Sequence, residues 1–343
     1  MSWEHIRGHD AAVRFFAAAA KGGRIGQAYL FVGPAGVGKR TLARELAKAL
    51  LCENAAPERL AACDRCSACH QADAGTHPDL FVAARPEESV ELPIEVVRTL
   101  CTALALKPMR GGRKVGILED ADDLNEASAN AFLKTLEEPP PRSVLILVGG
   151  PSAETHLPTI VSRCQVVRFA PLAPAVLAEL LERQGVTDPA VVRRVIRLGD
   201  GSLGQALALT DETLWQFRET LLRSLGNAEC DGVQLGAAWL QFVEDAGKDA
   251  AAQRRRAALL LRMLGGTLQL ALRASAGAAP AGLEPLEAEV IRSLAERLGT
   301  EKLLCWIERT LEASVQVDRK VQLVLILEAL AAYLGQQTPL TAR

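Results

Sequence analysis

The chain has 343 residues, 49% of them hydrophobic, and a formal net charge of -2, which is enough for two or three domains with ordinary apolar cores. The near-neutral charge excludes a protein that attracts nucleic acid through its whole surface, so such contacts must come from local patches or from partner chains. Aromatic residues make up only 4% while Ala, Leu, Arg and Glu recur throughout, which disfavours a β-sandwich and favours helix-rich packing.

At the start, Trp3-Glu4-His5 lacks the basic and then apolar order of a secretory signal, and Phe15 to Ala20 is too short to cross a bilayer. The late apolar run around Val324 to Leu327 is interrupted by Glu328. A cytoplasmic protein without membrane contact is the expectation. Short β-rich runs at Ala28–Val32, Leu80–Ala83, Val115–Leu118, Ser143–Val148 and Val166–Phe169 alternate with helical patterns, the rhythm of a parallel α/β sheet. Helices are predicted at Ile94–Leu106 and at Asn125–Glu137, where Ala129, Phe132, Leu133 and Leu136 share a face before Pro139, Pro140 and Pro141 stop it. From Pro174 to about Leu209 the pattern is one of short helices broken at Asp188-Pro189 and Gly199-Asp200-Gly201. From about Thr210 the chain reads as helical, with a flexible linker predicted over 274–282. In the last helix Leu323, Ile326, Leu327, Leu330 and Leu334 form one apolar face, which Val321, Val324 and Leu325 widen. Such a helix is buried either within its own domain or between subunits.

The most informative stretch lies between the first strand and the following helix. Gly33, Gly38 and Lys39 fit the phosphate-loop pattern, in which a Ser or Thr follows the Lys and holds Mg²⁺, but Arg40 occupies that position. Thr41 lies one residue later, roughly 100° around a helix of 3.6 residues per turn, and does not replace the missing ligand. The backbone N–H groups of Gly36 to Lys39, together with Gly36, Gly38 and the Lys39 ammonium, are the candidate phosphate contacts, with weak or no nucleotide binding expected.

Cys52, Cys63, Cys66 and Cys69 follow the pattern C-x10-C-x2-C-x2-C. In a chain without an export signal this distribution argues for metal rather than disulfides. Four thiolates satisfy tetrahedral Zn²⁺ and leave no open position, so the expected ion is structural; free thiols or an iron–sulfur cluster are the alternatives. His70 is expected to be a bystander. A DNA-reading finger is disfavoured because Arg59 and Arg65 are balanced by Glu53, Glu58 and Asp64.

The phosphate loop, the four-cysteine insertion, Thr76-His77-Pro78-Asp79, the run Asn130 to Pro140 and Ser162-Arg163-Cys164 together resemble the bacterial clamp-loader subunits of the DNA polymerase III holoenzyme, which are AAA+ proteins. The resemblance covers roughly residues 1–210. It implies an α/β AAA+ (phosphate-loop NTPase-like) parallel-sheet domain over 1–169 with the zinc insertion at about 52–70, a helical lid over 170–208 and an all-α collar over 209–343.

Four departures resemble the delta-prime type rather than a working ATPase. Arg40 is the first. Glu119-Asp120 stands where active members have Asp-Glu, Gly149-Gly150 supplies no side chain to sense a γ-phosphate, and Gly204 replaces a lid Arg. Ser162-Arg163-Cys164 is intact, and in clamp loaders the Arg of this motif is an arginine finger supplied in trans. The resemblance thus implies a subunit without intrinsic ATPase. It would join gamma or tau motor subunits and the delta subunit, and act through the assembly on a sliding clamp and primer-template DNA. The alternatives are a self-sufficient gamma/tau-like AAA+ ATPase and a zinc-dependent DNA-binding module using the patch Lys107, Arg110, Arg113 and Lys114.

Overall fold

The computed structural model of the chain describes residues 2–55, 60–86, 89–110, 112–227, 231–278 and 282–336. Two compact units divide it, Met1–Leu207 and Ala208–Arg343. The division leaves the segment expected to form a lid in the same unit as the sheet.

In the first unit α1 (Asp10–Lys21) precedes β1 (Ala28–Val32), α2 (Lys39–Leu51), α3 (Ser67–Asp73), β2 (Leu80–Ala83), α4 (Ile94–Ala105), β3 (Lys114–Leu118), α5 (Glu126–Glu137), β4 (Ser143–Val148), α6 (Pro158–Val161), β5 (Gln165–Arg168), α7 (Pro174–Arg183), α8 (Pro189–Leu198) and α9 (Leu203–Ala208). The five strands form one parallel sheet in the order β2-β3-β4-β1-β5. Strands β1, β3 and β4 are buried on both faces, which is why they read as continuous apolar runs, whereas the edge strands β2 and β5 are partly exposed. The predicted strands are all present, the last shifted one residue toward the N-terminus.

Helices cover both faces. Phe16, Leu42 and Leu46 pack with Tyr29, Phe31, Val115 and Ile146 on one side, and Leu100, Leu104, Phe132 and Leu136 pack with Leu30, Leu118 and Leu147 on the other. Asn125 accepts the Ser128 N–H at 2.9 Å and so caps α5 rather than joining it. Because β1 feeds β2 on the far side of the sheet while β5 returns beside β1, the carboxyl end of β1 is a topological switch point. Crevices in parallel sheets form there.

The second unit is all helical, with α10 (Glu212–Gly226), α11 (Gly232–Glu244), α12 (Ala250–Ser275), α13 (Pro285–Asp318) and α14 (Leu323–Gln336). Gly299, with φ 67°, breaks α13 into two straight pieces. Helix α12 alone among the described residues is long and apolar enough to cross a membrane, but Leu260, Leu261, Leu264 and Leu268 bury it in this unit's core. Helix α14 buries Ile326, Leu327, Leu330 and Leu334 within its own unit and leaves Val324 and Leu325 exposed, while Val321, expected to widen its face, lies before the helix starts. The predicted linker falls partly outside the described residues, at 279–281.

The pair Arg218–Glu287 joins α10 to α13 at 2.5 Å with both side chains almost wholly buried (4% and 1% exposed). Glu287→Ala leaves the Arg218 charge buried without this partner and should destabilise the helical unit by about 3–5 kcal/mol, whereas replacing both residues by apolar ones of similar volume should cost far less. Chemical denaturation of the three proteins checks the difference.

Candidate functional site

The loop from Gly33 to Gly38 connects β1 to α2, and its glycines are there for space. Gly33 and Gly36 have φ of 148° and 73°, and a Cβ on Gly33 would lie 2.3 Å from the Phe169 carbonyl oxygen. A Cβ on Gly36 would lie 2.4 Å from Ser202 Oγ. Gly204 N–H donates to the Gly36 carbonyl at 3.1 Å. Gly204, where a lid Arg was expected to be missing, thus holds the first turn of α9 directly against the loop, and even a methyl group there would crowd Gly36 Cα at 3.2 Å.

The Lys39 ammonium is buried and donates to the carbonyls of Gly33 and, at 2.8 Å, of Pro34. Burial pushes it below its ordinary pKa. His9 is buried beside Phe169 and donates from Nε2 to the Val37 carbonyl at 2.7 Å, bracing the loop from α1.

Arg40 reaches both carboxylates that follow β3. Its Nε lies 3.1 Å from Glu119 Oε2 and its Nη2 2.5 Å from Asp120 Oδ1, while Arg44, one turn along α2, places Nη2 3.1 Å from Glu119 Oε1. Glu119 is buried, while Arg40 and Arg44 are more than half exposed (54% and 62%), so its two oxygens are met by guanidinium groups reaching in from the surface. Mg²⁺ needs near-octahedral oxygen ligands at about 2.0–2.1 Å and a hydroxyl from position 40 would be one of them; this donor set does not fit it.

The position of the absent γ-phosphate sensor is filled from elsewhere. The His156 ring lies where any Cβ on Gly149 would fall, 2.1 Å away, and its Nε2 accepts the Gly150 N–H at 3.2 Å. Burial lowers the His156 pKa, and acceptance of the Gly150 N–H leaves Nε2 without a proton. Above the loop remains a cavity of about 600 Å³ lined by Ile6, Leu172, Leu180, Leu203 and Leu207 as well as by Lys39, Arg40, Asp120 and Asp122.

The four cysteines come together. All four Sγ atoms lie within 4.8 Å of one another, with Cys52–Cys66 at 3.9 Å and Cys63–Cys69 at 4.0 Å. Four thiolates at about 2.3 Å from one Zn²⁺ would be about 3.8 Å apart, so the cluster fits the ion with little adjustment. Backbone N–H groups of Cys63 and Cys69 donate to Cys52 and Cys66 Sγ at 3.3 and 3.4 Å. The Cys63 thiol is drawn down to about 6, chiefly by the backbone N–H of Arg65. His70 is exposed and outside the cluster, as expected.

Lys48 on α2 anchors this segment through Asp64 at 2.9 Å and Asp73 and Glu45 at 3.1 Å each. Burial would lower its pKa, but hydrogen bonds to Asp64, Asp73 and Glu45 leave it raised. The buried Asp79 accepts the N–H groups of Met109 and Arg110 at 2.8 and 3.2 Å, and Arg110 pairs with Glu53 at 2.5 Å.

Two of the four residues of the basic patch, Lys114 and Arg110, are engaged within the chain, while Lys107 is exposed. Lys114 is buried, donates to the Ala103 carbonyl at 2.5 Å and lies over the Phe81 ring, and Arg110 is neutralised by Glu53.

Arg163 lies apart from the phosphate loop, at the end of α6. Its Nε and Nη2 donate to Glu137 Oε1 at 3.0 and 2.5 Å, and its Nη1 donates to the Thr159 carbonyl and Ser162 Oγ at 3.0 and 3.1 Å. Sequence reasoning missed His9, His156, Arg44, Lys48 and Glu137. The histidines carry no pattern at all, while Arg44 was detectable as the residue one helical turn after Arg40.

Residues 8–173 match the family model described as DNA polymerase III, delta subunit. The chain is 42% identical over 185 residues to the DNA polymerase III subunit delta' of Pseudomonas aeruginosa, covering 53% of this chain and 55% of that protein. It is 35% identical over 208 residues to the delta' subunit of Escherichia coli K12, covering 61% of each. It is also 34% identical over 200 residues to the tau subunit of Salmonella typhimurium, covering 56% of this chain and 30% of that protein. The matched part therefore spans little more than half the length of the delta' relatives. A gamma-subunit-related protein of Thermotoga maritima aligns with 97% of this chain and 100% of its own at a TM-score of 0.46 and 17% identity, too distant to add to the topology observed directly. With its parallel sheet, its glycine loop and its cysteine insertion in place, the chain is similar over these residues to the delta' subunits of DNA polymerase III.

Proposed function

We propose that this chain is a non-catalytic subunit of a sliding-clamp loader in the bacterial cytoplasm. It assembles with gamma/tau motor subunits and a delta subunit and presents Arg163 to a neighbour's nucleotide site. Through that assembly it serves the loading of a clamp onto primer-template DNA. Since tau relatives match as well as delta' ones, the choice between motor and non-catalytic subunit rests on this chain's own residues. One observation carries it: the Glu119–Asp120 pair is bound by Arg40 and Arg44. Phosphoryl transfer depends on positioning and on clamping developing charge with metal, and a chain whose metal carboxylates are neutralised by its own arginines lacks that clamp.

Arg163 retains the reach that such a role needs. Its pair with Glu137 is half exposed (32% and 49%), and pairs of this kind are worth at most about 1 kcal/mol, so a γ-phosphate presented by a neighbour can take the guanidinium over. The fork geometry of guanidinium then stabilises charge on the transferring group. We assign the segment 170–208 to a lid and the helical unit to a collar that holds the ring together. Zn²⁺ held by Cys52, Cys63, Cys66 and Cys69 would be structural, fastening the insertion that Lys48 ties to α2.

The purified chain should hydrolyse no ATP alone and should raise DNA- and clamp-stimulated hydrolysis when added to motor subunits. Activity of the lone chain would favour the motor reading. Lys39→Ala should leave clamp loading by the assembly nearly unchanged. Arg163→Ala should leave zinc content and assembly intact while slowing hydrolysis at one motor site. A finger contributes about 10³–10⁵ in kcat at its own site, diluted in the ensemble rate by the remaining sites, and Arg163→Lys should rescue poorly. Unchanged ATPase and clamp loading with Arg163→Ala would make Arg163 structural. Cys66→Ser should lose the metal, read by elemental analysis, and lower the stability of the first unit, because metal binding is coupled to local folding.

A further inference from the structure

We propose that Lys48 is a positioning residue of the four-cysteine site: by holding the Asp64 carboxylate it keeps the turn between Cys63 and Cys66 in the conformation that aims backbone N–H groups at the sulfurs, and so slows the loss of the metal. The inference rests on the reading that Cys52, Cys63, Cys66 and Cys69 hold Zn²⁺, and adds to it a residue outside the ligand set that governs the grip on the ion.

Asp64 occupies the gap between Cys63 and Cys66 with φ 58°, in the left-handed region. Glycine enters that region freely, whereas a residue with a side chain is strained there unless something local holds it. The same turn aims the N–H groups of Arg65 and Cys66 at Cys63 Sγ and the N–H of Asp64 at Cys69 Sγ. Turn conformation and sulfur hydrogen bonding are therefore one feature. Groups that hydrogen-bond or orient metal ligands in this way are worth about 10–100-fold in metal affinity.

Lys48 is what holds the turn. Its side chain is only 7% exposed, and its Nζ lies 2.9 Å from Asp64 Oδ1. The ammonium is fixed in place by Glu45 Oε1 on its own helix and by Asp73 Oδ1 on α3, each at 3.1 Å. Asp73 lies one turn beyond Cys69, and Lys48 itself lies one turn before Cys52, at the end of α2. One side chain thus ties together the segments that carry all four cysteines. A plain charge effect is the competing account, because four thiolates around a divalent ion leave a net charge of about -2 that any nearby cation favours. Glycine at position 64 separates the two, since it removes the need to hold the turn and leaves the charge of Lys48 where it was.

The test measures the rate at which the full zinc-loaded chain gives up zinc to an excess of a chromogenic chelator. Lys48→Met and Asp64→Ala should each release zinc at least about tenfold faster than wild type. Asp64→Gly should stay within about twofold of wild type, and adding Lys48→Met to Asp64→Gly should change the rate by no more than about twofold, a non-additivity expected only if the two residues act through one turn. Unchanged far-ultraviolet circular dichroism shows that each variant is folded, and Lys48→Gln replaces Lys48→Met if the latter does not fold. Wild-type release rates in a folded Lys48 variant overturn the proposal, and so does an equally large effect of Lys48→Met in the Asp64→Gly protein, which would make Lys48 a charge alone. A wild-type rate for Asp64→Ala overturns it without any Lys48 variant. Wild-type chain that carries no zinc fails the metal reading itself, whereas a zinc-loaded chain indifferent to Lys48 fails this inference only.

Discussion

The contact on which the first unit turns is the one between Arg40 and the two carboxylates at the end of β3. A phosphate-loop fold places three things at the carboxyl end of its sheet: helix N–H groups, a lysine, and an acid that holds a metal. The metal normally links the helix that follows β1 to the acids that follow β3, across the intervening strand β4. Here Arg40 and Arg44, both side chains of α2, make that link through ion pairs. A link through side chains exists whether or not nucleotide is present, so the two elements stay in register in the free protein. The link at position 40 therefore does not depend on a ligand.

The neighbouring substitutions follow the same logic. In this chain His156 fills the space beside Gly149, neutral and hydrogen-bonded to the backbone, and Gly204 brings the start of α9 into backbone contact with the loop. His9 braces the loop from the opposite side. Each is satisfied by an internal partner. Buried polar groups demand partners, and here the partners are internal.

Helix α2 connects this rigid loop to the cysteine insertion. Its first turn carries Lys39 and Arg40, its middle carries Arg44 and Lys48, and the chain leaves its end directly into Cys52. Lys48 is nearly buried and holds three carboxylates from the helix itself, from the cysteine segment and from α3. Removing Lys48 would leave three neighbouring carboxylates without their shared cation, so the insertion is coupled to α2 rather than merely adjacent to it.

Much of this was legible from residues alone, and the limit has a physical origin. The buried strands β1, β3 and β4 read clearly because burial on both faces leaves only apolar residues, and the cysteine spacing read clearly because thiolates wrapping one ion constrain their separation in sequence. Arg40 was visible as a defect in a pattern, but a pattern describes what a position lacks. That its side chain bridges Glu119 and Asp120 depends on how far β3 extends relative to β1, a distance set by the sheet and not by either sequence motif. Lys114 shows the converse error. It counted as surface charge from its neighbours in sequence, yet it begins a buried strand, and burying its stem against Phe81 while its ammonium reaches a backbone carbonyl is how a lysine is accommodated there. Charge alone did not separate these two residues. Arg40 sits where a helix and a strand end converge on a cavity and Lys114 where a strand begins, so an arginine that looks like damage to a motif becomes a structural cation while a lysine that looks available for DNA is already engaged.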